Sequence, residues 1–191
     1  MHGSQESALK TYRPNFFVVT GGPGAGKTSL INALADYGHL HVEEAGRRII
    51  REQKLSGGNA THDGDRVAYR ELMFEHAIES YRRMTTETSV VFFDRGFPDL
   101  AGYSRLIGES VPPDIERAIA LQRYNNLVFI APPWKDIYAA DTERRQDFAE
   151  GVTTHDAIRD AYQQAGYELI ELPKASIESR VDFVLARANT L

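Results

Sequence analysis

The sequence contains no cysteine among its 191 residues. This absence excludes a disulfide scaffold, thiolate zinc sites and a cysteine nucleophile. No apolar run approaches the roughly 18 residues that a membrane-spanning helix requires, and residues 1–13 lack the apolar segment of a secretory signal. We therefore expect a cytoplasmic protein with no membrane partner, in which residues 1–13 form a flexible N-terminal arm.

Basic residues are also scarce, since 22 Lys and Arg stand against 27 Asp and Glu, a formal net charge of −5. A broad basic surface for nucleic acid is therefore not expected. Of all residues, 42% are hydrophobic and 10% aromatic, an ordinary globular composition that argues against disorder. At this length we predict one folded domain, over residues 14–191.

Short apolar runs alternate with longer stretches of helical pattern along the chain. The runs cover residues 15–20, 39–42, 89–93, 126–130 and 167–172. Helices are predicted at residues 27–37, 66–84, 113–123, 155–165 and 177–188. Continuous apolar runs suit strands that are buried on both faces, so the alternation predicts an α/β fold with helices on both faces of a parallel sheet. Ligands of such folds bind at the carboxyl ends of the strands.

The first run leads directly into the glycine-rich segment GGPGAGKTS, residues 21–29. It fits the pattern G-x-x-x-x-G-K-[ST], in which backbone N–H groups and a helix N-terminus hold phosphate oxygens. In that pattern Lys27 reaches the β- and γ-phosphates and the hydroxyl of Thr28 holds Mg²⁺. The segment therefore predicts a nucleoside triphosphate site. Its predicted binding residues are Gly22, Pro23, Gly24, Ala25, Gly26, Lys27, Thr28 and Ser29.

The third run ends in Asp94, Arg95 and Gly96. An Asp at this position is the second Mg²⁺ anchor of such nucleotide-binding proteins, although a strand-end Asp can also simply cap the next helix. Arg95 stands where many motor-type ATPases have a catalytic Glu. An arginine there can clamp a transferring phosphoryl group, which favours group transfer over simple hydrolysis.

Two carboxylates, Glu43 and Glu44, follow the second run. A carboxylate at this place would face the acceptor side of the phosphate loop and could accept a proton from an attacking hydroxyl. The alternative is an acidic helix start with a surface ion pair, such as Glu44 with Arg47. If the protein is a kinase, we expect Glu44 or, failing that, Asp94 to orient the acceptor and residues 44–88 to shape the acceptor pocket. Its candidate residues are Asp63, Arg66, Tyr69, Arg70, Asp99 and Tyr103.

A polar, arginine-containing stretch follows the fourth run, at about residues 134–150. Small kinases often place a lid here, whose arginines close over the triphosphate. We predict that Arg144 and Arg145 stabilise the transferring group. The alternative is an exposed helix on which Asp141 pairs with these arginines.

These segments together resemble one family, the small AAA-type ATPase/kinase domains of P-loop NTPases, related to ribosylnicotinamide kinase and to nucleoside and nucleotide kinases. The matching pieces span about residues 16–185 and are TGGPGAGKTSLINAL, VEEAGRRII, FFDRGFPDLAGY, PPWKDIYAADTERRQ and ELPKASIESRVDFVL. The resemblance implies a three-layer kinase-like fold with sheet order 2-3-1-4-5. It also implies ATP with Mg²⁺, Asp94 on the metal, Arg144 or Arg145 in the lid, and Glu44 as the acceptor-side base.

Three functions compete on this basis. The favoured one is a kinase that transfers the γ-phosphoryl of ATP to a small nucleoside- or nucleotide-like metabolite, with Lys27, Glu44, Asp94 and Arg95 in the site. The alternative is an ATPase that acts as a conformational switch or binding module with a protein partner. A GTPase is disfavoured, because no N-K-x-D sequence follows the fourth run.

Overall fold

The computed structural model describes residues 10–138 and 147–188 of the chain. Within them one parallel sheet has the strands β1 (Phe16–Gly21), β2 (Leu40–Val42), β3 (Val91–Asp94), β4 (Leu127–Ala131) and β5 (Glu168–Glu171). Across the sheet their order is β2-β3-β1-β4-β5, which is the order that the family resemblance implies. All five predicted strands are confirmed, each displaced by no more than about two residues because strand ends are the least certain part of a sequence pattern.

Helices connect these strands and cover the sheet. They are α1 (Lys27–Asp36), α2 (Gly46–Ser56), α3 (Arg66–Met84), α4 (Phe97–Leu106), α5 (Pro113–Leu121), α6 (Phe148–Gln164) and α7 (Ile177–Ala188). The five predicted helices correspond to α1, α3, α5, α6 and α7. A short 3₁₀ helix, Lys135–Ile137, follows β4. None of the helices in the described part of the chain is long and apolar enough to cross a membrane.

One helix begins earlier than predicted and two further helices were not predicted, each for a local reason. Helix α6 begins earlier than predicted, because Asp147 accepts from the N–H of Glu150 at 2.8 Å and so caps its first turn. Helix α4 was not predicted; its start is fixed by Asp99, whose Oδ2 accepts from the N–H of Gly96 at 2.9 Å. Helix α2 was not predicted either, because it is mostly polar: its buried residues are Gly46, Ile49 and Ile50, and no longer apolar run marks it.

Alternate residues of β1 point into two separate cores. Phe16 and Val18 pack on one side with residues of α3, α4 and α6, such as Tyr81, Phe97 and Tyr162. Phe17 and Val19 pack on the other side with residues of α1 and α7, such as Leu30 and Val184. The chain is therefore three layers thick, as predicted, and the first strand carries the phosphate loop out of the middle of the sheet.

Residues 11–13, which the sequence analysis assigned to a flexible N-terminal arm, are held by backbone hydrogen bonds. Thr11 and Tyr12 form a two-residue strand that pairs in parallel with Gln122 and Arg123. The N–H of Arg13 extends this pairing by donating to the carbonyl of Arg123 at 2.9 Å. Backbone hydrogen bonds that a composition argument cannot detect thus hold residues 11–13.

Candidate active site

The glycine-rich segment forms a tight loop between β1 and α1. Gly24 and Gly26 have φ angles of 69° and 76°, which favour glycine, and a Cβ on Gly24 would lie 2.6 Å from the ring of Tyr138. Helix α1 has no side-chain cap at its N-terminus and no acidic residue in its first turn. Its first N–H groups and the positive end of its dipole are therefore directed at a site for an anion.

Lys27, the first residue of α1, is only 5% exposed. Its Nζ donates to the carbonyl of Gly22 at 2.7 Å, so the ammonium group lies along the concave side of the loop. The next two residues, Thr28 and Ser29, are exposed. The predicted phosphate-binding residues thus lie in the loop and the first turn of α1, with the ammonium group of Lys27 buried and Thr28 and Ser29 exposed to solvent.

Asp94 ends β3 beside this loop. It pairs in register with Val19 of β1, two residues before the loop begins at Gly21. The carboxyl is buried, and its Oδ1 has no hydrogen-bond partner. Burial, followed by the charge of Glu44, raises the pKa of Asp94 to about 6, although Lys27 and Arg95 act in the opposite direction.

Arg95 has an unusual backbone and a rigidly held side chain. Its φ of 76° is the only positive value at a non-glycine residue within the described segments. The guanidinium donates through Nη1 to the carbonyl of Gly21 at 3.1 Å and to Asp99 at 2.9 Å, and its Nε lies 3.2 Å from Glu44 Oε1. Burial alone would lower the pKa of Arg95, but Glu44, Asp99 and Asp94 outweigh it and raise that pKa.

Glu44 therefore does not lie in a helix with Arg47, as one reading of the sequence had it. It precedes α2, which begins at Gly46, and its ion pair with Arg95 brings it to the end of the neighbouring strand. The structure thus places Lys27, Glu44, Asp94 and Arg95 together around the loop. Their roles remain predictions.

Asp99 joins the same network from α4. Besides Arg95, its carboxylate accepts from the hydroxyl groups of Thr20 and Tyr162, both at 2.6 Å. Burial, followed by Asp99, keeps the pKa of Tyr162 well above its usual value, so the phenol is a proton donor at neutral pH. Sequence reasoning placed Asp99 in the acceptor pocket and missed this role, because its partners come from β1 and α6, far apart in the chain.

We expect Tyr162→Phe to lower the free energy of unfolding by about 1–2 kcal/mol, because a buried carboxylate loses one charge-assisted hydrogen bond. Urea unfolding of the nucleotide-free protein measures this loss. Tyr37→Phe is the matched control, since Tyr37 is 62% exposed. Equal stability of the two variants would contradict a structural role for the Tyr162–Asp99 bond.

A cavity of about 550 Å³ opens beside the loop. It extends from Pro23, Asp94 and Arg95 between helices α2, α3, α4 and α6. Its apolar lining residues include Tyr69, Met73, Leu100, Tyr103, Leu106 and Ile107. The rings of Tyr69 and Tyr103 meet edge to face, with centroids 5.9 Å apart.

Most of the predicted acceptor-side residues line this cavity, namely Asp63, Arg66, Tyr69, Asp99 and Tyr103. Arg70 does not. It is buried beneath the wall, where it donates to Ser104 and to the carbonyl of Ser110 and pairs with Glu71 at 2.8 Å. Its position one residue after Tyr69 on α3 turns it towards α4 instead.

The lid cannot be placed in the same way. Arg144, Arg145 and Asp141 lie outside the described residues. The described flanks of this region approach the phosphate loop from one side: Tyr138 packs against Gly24, and a Cβ on Gly22 would meet the carbonyl of Gly151 in α6 at 2.5 Å.

A divalent cation fits the residues beside the loop. The unpartnered, buried Oδ1 of Asp94 is a carboxylate oxygen of the kind Mg²⁺ prefers, and Thr28 offers an exposed hydroxyl. In the described residues no group of three or more His, Cys, Asp or Glu could hold a metal ion. Mg²⁺ here would therefore take its other ligands from the nucleotide and water, as it commonly does.

Three features together define a P-loop NTPase of kinase-like fold. They are a parallel sheet in this order, a phosphate loop after its first strand, and an acidic residue at the end of the adjacent strand. The chain belongs to a family within that class: residues 16–180 match the family model described as AAA domain. A comparison with curated protein sequences gave no significant match.

Similar solved structures include three P-loop proteins. Deoxyadenosine kinase from M. mycoides, with the products dCMP and dCDP bound, has a TM-score of 0.68 at 12% identity, covering 92% of this chain and 100% of that one. NadR protein in complex with NR has a TM-score of 0.67 at 18% identity, covering 92% of this chain but only 52% of that one. Thymidylate kinase from Ehrlichia chaffeensis has a TM-score of 0.59 at 16% identity, covering 90% and 97%. At these identities the likeness concerns the fold.

Proposed function

We propose that this protein is an ATP- and Mg²⁺-dependent kinase that phosphorylates a hydroxyl group of a small, nucleoside-like metabolite. The observation that carries this proposal is the cavity of about 550 Å³ that begins at the phosphate loop and at Asp94. A hydrolytic ATPase has to admit only water beside the γ-phosphate. A cavity within the usual size range for small-molecule sites supports a second substrate.

Each charged group around the loop would have a separate task. Lys27 and the loop N–H groups would hold the β- and γ-phosphates of ATP. Thr28 and Asp94 would hold Mg²⁺, which when bound neutralises charge on the phosphates. Arg95 lies between Glu44 and Asp99 and would keep Glu44 at the cavity wall.

Glu44 is the better candidate for the general base. It lines the cavity, and its side chain is 14% exposed, so an acceptor hydroxyl can reach it. Asp94 also lines the cavity, but its buried oxygen suits a metal ion. Most of the catalysis would then come from positioning and electrostatics. Glu44 would take the hydroxyl proton as the new P–O bond forms, while the bond from the γ-phosphorus to the bridging oxygen breaks and ADP leaves.

The charge of the cavity favours an acceptor without a phosphate group. Among the described lining residues there are seven carboxylates but only two arginines, Arg66 and Arg95. The seven carboxylates are Glu43, Glu44, Asp63, Asp94, Asp99, Asp147 and Glu150. Arg95 is already held by Glu44 and Asp99, and burial, followed by Arg48, lowers the pKa of His76. A phosphomonoester would therefore meet net negative charge, whereas a neutral or cationic alcohol would not.

The cavity also offers a surface on which an aromatic ring of the acceptor could lie. Tyr69 and Tyr103, together with Met73 and Leu106, contribute an apolar and aromatic part of the cavity wall. Aromatic and thioether groups bind a flat ring well. A base or pyridine ring would lie on this wall while its sugar hydroxyl faces Glu44.

We expect nucleosides to be phosphorylated with a kcat/KM at least about 100-fold above that of their 5′-monophosphates, since like charges cost several kcal/mol. Matched pairs of nucleosides and pyridine ribosides with their monophosphates would be incubated with ATP and Mg²⁺, and both ADP and phosphorylated product followed. Lys27→Ala is the blank.

Two outcomes would contradict the proposal. Preferential use of the monophosphates would show that the acceptor pocket accommodates a phosphate group, against the charge argument above. ADP release that is equal with and without every acceptor would favour the ATPase alternative.

A further inference from the structure

Arg180, in the second turn of α7, is the largest fully buried side chain of the described residues, with 1% exposure. Its Nη1 and Nη2 donate to one oxygen, the carbonyl of Ala25, at 3.3 and 3.2 Å. Its Nε has no hydrogen-bond partner. A guanidinium has five donors, so this buried group is under-satisfied.

No carboxylate in the described part of the chain forms an ion pair with Arg180. Among the other arginines of low exposure, Arg70 pairs with Glu71 and Arg95 with Glu44 and Asp99, while Arg123 lies 3.8 Å over the ring of Tyr167. For Arg180, desolvation by burial is the one cause that acts on its pKa, and it lowers that pKa. Burying a cation without a counter-charge is costly, so a protein that keeps one has a use for it.

The position of Arg180 points to that use. The carbonyl of Ala25 faces the guanidinium, and the N–H of the same peptide unit belongs to Gly26, the N-cap residue of α1. A Cβ on Gly26 would lie 2.7 Å from Arg180 Nη1, so the guanidinium packs against the outer side of the loop. One peptide unit therefore separates the buried cation from the anion site.

We propose that Arg180 is a positioning residue for the nucleotide: it orients and polarises the Ala25–Gly26 peptide, and the bound polyphosphate supplies the counter-charge that no described residue provides. The inference rests on the proposed function in one respect, namely that the loop binds ATP. A cation on the carbonyl side of a peptide strengthens the hydrogen bond that its N–H donates. The charge of Arg180 also adds to the α1 dipole and to Lys27 on the same anion.

The test compares Arg180→Met with Arg187→Met, which removes an arginine from the same helix where it lies over Phe183. Titration calorimetry gives Kd for ATP, ADP and adenosine. We expect Arg180→Met to weaken ATP and ADP by about tenfold, the usual scale for one charge-assisted contact, and to leave adenosine within about twofold. Arg187→Met should bind all three like the wild type.

Thermal unfolding separates this role from a merely structural one. Nucleotide-free Arg180→Met should have a Tm no lower than that of Arg187→Met, because an uncompensated charge has been removed, and a smaller rise in Tm on adding ATP. Arg180→Lys, which keeps the charge, should recover most of the ATP affinity and serves if the Met variant does not fold.

Three results would overturn the inference. One is an Arg180→Met protein that binds ATP as the wild type does. Another is an equal loss of affinity for ATP and adenosine together with a lower Tm, which indicates a packing role. If the wild type itself binds neither ATP nor ADP, the proposed function fails, and this inference with it.

Discussion

Replacing Asp94 with Asn is expected to abolish phosphoryl transfer and, at the same time, to stabilise the nucleotide-free protein. The carboxyl is buried beside the phosphate loop with one oxygen unpartnered, and its pKa is raised to about 6. At neutral pH the folded protein therefore carries Asp94 as a charged carboxylate, although burial favours its neutral, protonated form. Asn keeps the shape and removes the charge.

The sign of the pH effect follows from that shift. Because the folded-state pKa lies above the unfolded value of 3.8, the folded protein binds more protons than the unfolded chain between those values, and its stability falls as pH rises to about 6. Asp94→Asn has no such loss. Its Tm at pH 8 should exceed that of the wild type by roughly 2–4 °C, the change that about 1 kcal/mol produces at this size. The difference should shrink below about pH 6.

Activity should change in the opposite direction, with kcat lower by a factor of about 10³ or more, because the proposed Mg²⁺ site would lose its carboxylate ligand and with it several kcal/mol of charge stabilisation. Scanning calorimetry without nucleotide and product formation with ATP and Mg²⁺ measure the two effects. Asp182→Asn, an exposed change on α7, is the control. A less stable Asp94→Asn protein, or one with wild-type activity, would contradict this account.

Glu44→Gln should separate proton transfer from nucleotide binding. We expect kcat to fall by about 10²–10⁴, the usual contribution of a general base. The Kd for ATP should stay within about threefold, because Glu44 lines the acceptor cavity and is not part of the loop. Glutamine can still accept from Arg95 and so preserves the geometry of that contact.

Single-turnover kinetics with saturating ATP and nucleoside would measure this change directly. Glu52→Gln is the matched control, since Glu52 lies on α2 and pairs with Arg48 at 3.4 Å, outside the cavity. A Glu44→Gln protein with wild-type kcat would leave Asp94 as the base, the second possibility that the sequence allows.

The fold could be predicted from the sequence because its strands are continuous apolar runs and its loop is a specific motif. Phe16–Gly21 is buried at every position, which only a central strand of a parallel sheet requires. Helix α4 could not be predicted so readily. Its residues are almost all buried, so it has no polar face to reveal a helical period.

The residues of the site could be predicted where a local sequence motif specifies them, but not where they depend on contacts between segments far apart in the sequence. Lys27, Thr28 and Asp94 follow from motif and strand end. The ion pair of Glu44 with Arg95 joins the ends of neighbouring strands, and the contact of Arg180 with Ala25 spans 155 positions. No spacing rule within one sequence indicates such pairs.

The opposite charges of the two halves of the site bear on how the substrates compete. Under the proposed function, the loop with Lys27, Arg180 and the start of α1 would attract polyanions, whereas the described lining of the cavity, which is rich in carboxylates, would repel them. A second ATP molecule therefore has little tendency to enter the acceptor half, even when nucleotide is abundant. Under the proposed function, excess ATP would then form few dead-end complexes, and the rate would rise with ATP to a plateau.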